Sequence, residues 1–210
     1  MRGSLLLMSI GLLSLIAALA YMRTFLSVLP NILACIFRSK ECINLEDSVS
    51  LARERNIIYC ILLPTAAIFV SYHNLLCLDF LEPLGPEMRL AAVCGLLLGY
   101  AGLRTVLTLC MSPRGLNDKI RTAWSHSFRN FTILDILFCL ACGGILNLLG
   151  FPAETVRFAS LGITAACYFL FLIRKMQIFA SVRSLFSSIL YLCGLEILPS
   201  GLLVAAGFVF

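Results

Sequence analysis

Charge is scarce in this sequence. Asp, Glu, Lys and Arg make up 13% of the 210 residues against 60% hydrophobic, and the mean hydropathy is +0.99. A soluble domain of this size cannot bury that much apolar side chain, so the surplus is predicted to face lipid. Crossing a hydrocarbon core of ~30 Å takes about 20 apolar residues, so several spans with short connections account for nearly the whole length. Histidine is scarcer still. Only His73 and His126 occur, near the outer end of the second predicted span and in a predicted cytoplasmic linker, on opposite sides. Transmembrane haem ligation, which needs facing histidines, is thereby disfavoured. There is no nucleotide-binding glycine loop, no G-x-S-x-G elbow and no H-E-x-x-H pair, so ATPase, hydrolase and metalloprotease chemistry lack support. Neither a cofactor nor a metal site is expected, and the sequence shows no internal repeat or low-complexity segment.

What is present predicts an all-α, polytopic membrane helix bundle, a single integral membrane domain over 1–210. Spans are expected at about 4–21, 56–76, 90–111, 130–149, 153–173 and 184–210. Arg2, an apolar stretch and Ala18-Leu19-Ala20 imitate a secretory signal peptide. The segment that follows carries Arg23, Arg38, Lys40, Arg53 and Arg55, a load that normally stays in the cytoplasm, so an uncleaved first helix is expected. Between Arg23 and Lys40, Phe25, Leu29, Ile32, Leu33, Ile36 and Phe37 recur at helical steps around a kinking Pro30. That pattern predicts an interfacial amphipathic helix over 24–37. A second, over 116–129, places Leu116, Ile120, Trp124 and Phe128 on one face, with Trp124 as interface anchor. The acidic, proline-bearing stretch 79–87 marks the turn after the second span, and Gly150 and Pro152 close the fourth. Gly95, Gly99 and Gly102 make one face of the third span shallow enough for close packing of a neighbouring helix.

Placement of Lys and Arg sets the predicted orientation. Five follow the first span, four the third and three the fifth, twelve in all, against Arg2, Arg89 and Arg157 on the other side. The positive-inside rule then puts both termini on the non-cytoplasmic side of a bacterial inner membrane. The net charge of +5 is explained by this placement, so nucleic acid is not an expected partner. The expected partners are the lipid bilayer and other membrane proteins.

Three ionisable residues fall inside predicted spans, where charge is costly and often functional. Glu196 sits about eleven residues into the sixth span, roughly 16 Å deep, beside Pro199, which cannot donate to the carbonyl of Leu195. Arg104, roughly 10 Å deep, is its natural partner, and Asp135 enters about 6 Å on the fourth span. If the third, fourth and sixth spans adjoin, Arg104 can pair with either acid. Such a group can lock helix register or carry an ion. The ten cysteines lie mostly in apolar runs and read as reduced, buried thiols. Cys139 and Cys142 form a C-x-x-C, but mid-membrane among Leu, Phe and Ala, where a reactive thiolate is disfavoured.

Residues 188–199, Ser-Ile-Leu-Tyr-Leu-Cys-Gly-Leu-Glu-Ile-Leu-Pro, resemble the C-terminal signature of a bacterial multi-pass inner-membrane family of unassigned activity. The order of elements is similar over most of the chain, although Asp135 stands outside that family's pattern. The resemblance implies the architecture and no reaction. The functional expectation is an accessory or assembly component of the bacterial cell envelope. The alternatives are a small proton- or ion-coupled transporter subunit using Glu196 and Arg104, and, third, a membrane thiol oxidoreductase at Cys139 and Cys142.

Overall fold

The computed structural model describes residues 5–76, 85–110, 118–180, 189 and 192–201, and these are helical apart from short turns, with no strand among them. The helices are α1 (Leu5–Ala20), α2 (Met22–Phe37), α3 (Ser39–Asp47), α4 (Val49–Tyr72), α5 (Pro86–Cys110), α6 (Asp118–Leu148) and α7 (Ala153–Ala180). A last helical segment, α8, covers 192–201 and contains a π-turn over Cys193–Ile197.

Four of these helices are long and apolar enough to cross a membrane, over Val49–Tyr72, Pro86–Thr108, His126–Leu148 and Ala153–Ile178. They correspond to the second to fifth predicted spans. The first prediction, 4–21, falls on α1, whose 16 residues reach only about 24 Å at 1.5 Å per residue. It adds a fifth span only when joined with α2, from which it is bent by 76°. Most of the sixth prediction, 184–210, lies outside the described residues, as does most of the 79–87 turn. The count among described residues is therefore four, or five with the bent pair, rather than six.

The segment 24–37 is helical as expected, and Pro30 is accommodated inside α2. Its buried stripe, Val28, Ile32 and Cys35, packs with Cys42 and Leu45 of α3, Ile58 and Leu62 of α4, and Ile133, Leu134 and Ile136 of α6. Ile178 of α7 belongs to the same cluster, so the main apolar core lies where these five helices meet. The segment 116–129 is not a separate helix. From Asp118 it runs without a break into the fourth span as one 31-residue helix, because nothing between 118 and 148 is a Pro or an unsatisfied turn. The side chain of Trp124 lies outside the described set.

Two helices end in left-handed residues that satisfy their last carbonyls. After α6, Gly150 has φ +75°, its N–H meets the carbonyl of Asn147 at 3.1 Å, and that of Phe151 meets Leu146 at 3.1 Å. This is the Schellman pattern. Pro152 then starts α7, so α6 and α7 form a tight antiparallel hairpin. After α4, Asn74 takes the same role with φ +49°, and the N–H of Leu75 reaches the carbonyl of Val70 at 3.2 Å.

The expected glycine face is not a packing surface within the described chain. A Cβ added at Gly95, Gly99 or Gly102 meets nothing within 4 Å, whereas at Gly143 it would come 2.8 Å from the Phe69 ring. The close approach of helices is therefore at α4 and α6. Elsewhere large apolar side chains point outward, among them Leu148 at 90% and Phe158 at 71% exposure. In water such surface would be a standing liability, whereas lipid solvates it.

Candidate functional site

Arg104 and Glu196 come together as their shared apolar setting suggests. Glu196 is fully buried, and Arg104 and Lys175 are 7% and 1% exposed. The guanidinium of Arg104 grips the carboxylate with Nε to Oε2 at 3.0 Å and Nη2 to Oε1 at 2.8 Å. A planar fork on a carboxylate is the strongest form such a pair takes. Lys175 Nζ donates to Oε1 from the other side. Both carboxylate oxygens are thus occupied by the chain's own cations.

The register that brings these groups together is antiparallel. Tyr100 shares a hydrogen bond with Ser200 at 3.0 Å one turn from the Arg104–Glu196 pair, so stepping back four residues on α5 means stepping on four along α8. Pro199 has no N–H, and the chain around it widens into the π-turn, in which Leu198 N–H reaches back five residues to Cys193. An extra residue per turn is a known accommodation to a break in the α-helical ladder. The hydroxyl of Tyr168 donates to the Glu196 carbonyl at 2.9 Å, tying α7 to that turn.

Aromatic rings wall the charges in. The Phe128 ring centroid lies 3.4 Å from Arg104 Cζ, and Phe171 lies 5.3 Å from the same atom and 5.4 Å from Lys175 Nζ. Ring faces attract cations, more so where water is excluded. Phe128, predicted to face an interface, instead contributes to this wall.

Lys175 was not among the predicted partners. It was counted in a basic turn after Ile173, but α7 continues to Ala180, and Phe171, Lys175 and Ile178, all buried, are spaced as one helical face. Arg174 likewise stays on the helix and donates to the carbonyl of Ile36 at 2.9 Å, bonding one of the last carbonyls of α2.

Asp135 lies near the middle of α6 and does not pair with Arg104, which is held by Glu196. Thr164 Oγ1 approaches its carboxylate at 3.3 Å and Cys139 Sγ at 3.6 Å. Cys139 also contacts the Ser160 carbonyl at 3.7 Å. Cys139 and Cys142 are both free thiols, and among the described residues the partners of Cys139 are Asp135, Ser160 and Thr164, none of them a cation.

A second polar cluster escaped the sequence reading. Arg55, fully buried, pairs with Glu46, bonds Asn56 Oδ1 through Nη2 at 3.0 Å and reaches Asn130 Oδ1 at 3.4 Å. His126 Nδ1 is 3.0 Å from the other Glu46 oxygen, and Arg129 bonds Asn56 at 3.0 Å. These residues join α3, α4 and α6 at the same end as the Glu196 cluster. The available signal was the spacing of Arg55, Ile58 and Leu62, one buried stripe of α4.

No group of three or more His, Cys, Asp or Glu side chains arranged to hold a metal occurs among the described residues. The sequence matches no protein-family model, and no curated protein or solved structure shows a significant match to it.

Proposed function

We propose that the chain is a six-span protein of the bacterial inner membrane, with residues 1 and 210 on the outer side. In this reading it serves as an accessory or assembly component of the cell envelope. Arg104, Glu196 and Lys175 then act as an internal ionic lock that fixes the register of α5, α7 and α8. The observation that carries the lock is the burial of Glu196 with both oxygens held by the chain's own cations. A working ion site needs a coordination position open to its cargo, and here both carboxylate oxygens of Glu196 are taken. The 76° bend between α1 and α2 supports a first span that crosses and a following helix that lies along the inner interface. We assign the chain to the inner-membrane family that its 188–199 string resembles.

Removing one member of a buried ion pair leaves the other uncompensated, at a cost of about 3–5 kcal/mol, whereas replacing the whole set by apolar residues is often neutral. Glu196→Gln should therefore lower accumulation in the membrane and the unfolding temperature in detergent. The triple variant Arg104→Met, Lys175→Met, Glu196→Leu should recover both. If Glu196→Gln accumulates normally yet fails to complement a deletion strain, the lock is the wrong role.

That outcome would favour the second reading, a proton- or ion-linked subunit. One observation supports it: Glu196, Arg104 and Lys175 are ionisable groups buried together inside the bundle, and such groups within membrane helices often mark ion or proton paths.

A further inference from the structure

Asp135 is a carboxylate near the middle of α6, with the Thr164 hydroxyl and the Cys139 thiol beside it. No basic side chain among the described residues forms an ion pair with it. Its hydrogen bonds come from neutral donors, Thr164 Oγ1 at 3.3 Å and Cys139 Sγ at 3.6 Å. It is half-buried, and Thr164 beside it is exposed. The carboxylate therefore lies near the surface of the α6–α7 hairpin without a counter-ion among the described residues.

An apolar groove of about 500 Å³ lies on the same hairpin, lined by Phe138, Ala141 and Cys142 of α6 and by Ile163, Ala166 and Cys167 of α7 among others. Cys167 lies within electrostatic reach of Asp135. Small side chains such as Ala141, Cys142, Ala166 and Cys167 let a neighbouring backbone approach closely, which drives helix association in lipid. An acyl chain fills such a groove but offers nothing to a carboxylate. A second copy meeting this face across a two-fold axis presents the same patch, and the groove's lining holds no Lys or Arg to pair with Asp135.

We infer that this face docks a transmembrane helix of another membrane protein that carries a Lys or Arg near its middle, paired with Asp135. The inference rests on the accessory-component reading and names the chemistry of its partner. In lipid, the paired cation and carboxylate relieve each other's cost, and the small-residue groove supplies the packing.

The test uses the full chain, fluorescently labelled and reconstituted in zwitterionic phosphatidylcholine vesicles. Two synthetic leucine–alanine transmembrane helices serve as probes, one with a single central Lys and one with Leu in its place. Energy transfer should show the Lys helix associating at least tenfold more tightly with the wild type. Asp135→Asn should abolish that preference, and Asp135→Glu should retain most of it. Ala166→Trp, which fills the groove while leaving Asp135 intact, should abolish association and provides a second readout should Asp135→Asn fail to fold. Equal association of both helices with the wild type overturns the proposal, as does a preference that survives in Asp135→Asn. Energy transfer between two labelled copies that Ala166→Trp weakens, without a Lys preference, gives the face to a second copy and overturns it as well. These outcomes leave the Glu196 lock untouched, and that reading fails or stands separately on the accumulation of Glu196→Gln.

Discussion

At Arg104 three demands meet: charge balance for Glu196, a bidentate fit, and a flat surface against the Phe128 ring. Lys shares only the first. Arg104→Lys should therefore destabilise the protein by about 1.5–3 kcal/mol, the range for a lost hydrogen bond to a charged group. Thermal unfolding in detergent measures it, and a change within error would show that the fork and the ring contact contribute nothing. Arg104 and Glu196 were legible in the sequence because ions inside apolar runs stand out and are expected to find each other. Lys175 was not, because it follows Arg174 at the edge of an apolar run and a basic pair there reads as a turn.

Among the helices, glycine shows how far pattern reading reaches. Gly95, Gly99 and Gly102 carry the spacing associated with close packing, yet nothing in the described chain lies over them, and Gly143, with no such spacing, abuts Phe69. Spacing identifies a shallow face but not what covers it. Gly95→Ala should be neutral or stabilising by about 0.5–1 kcal/mol, since Ala is the better helix former. Gly143→Leu should cost about 1–3 kcal/mol as the Phe69 ring is displaced. Comparing the two unfolding temperatures checks the contrast, and equal effects would contradict it. The π-turn supports a further prediction. Removing Pro from a helix interior ordinarily yields about 3 kcal/mol. Pro199→Ala should yield little of this, because closing the turn to α-helical spacing rotates Glu196 away from Arg104 and Lys175. A full gain in stability would show that the π-turn does not position the carboxylate. The α6–α7 hairpin, by contrast, was readable from Gly150 and Pro152 alone, because a left-handed glycine followed by proline allows few other conformations.

For the molecule as a whole, composition sufficed to predict helices in lipid, and four helices meet the length and apolarity that crossing requires. The helix count was less legible. A bend such as that between α1 and α2 depends on what each helix packs against, and hydropathy does not register it. The buried polar clusters both lie at the end of the bundle where the basic residues gather, so the orientation and the lock are linked. The most direct measurement places a cysteine at each end: Ser50→Cys at the start of α4 and Glu154→Cys at the start of α7, both exposed positions. A membrane-impermeant maleimide applied to intact cells should label Glu154→Cys above the wild-type background and should reach Ser50→Cys only after the cells are broken. Labelling of Ser50→Cys in intact cells, with Glu154→Cys protected, would invert the bundle and contradict the account.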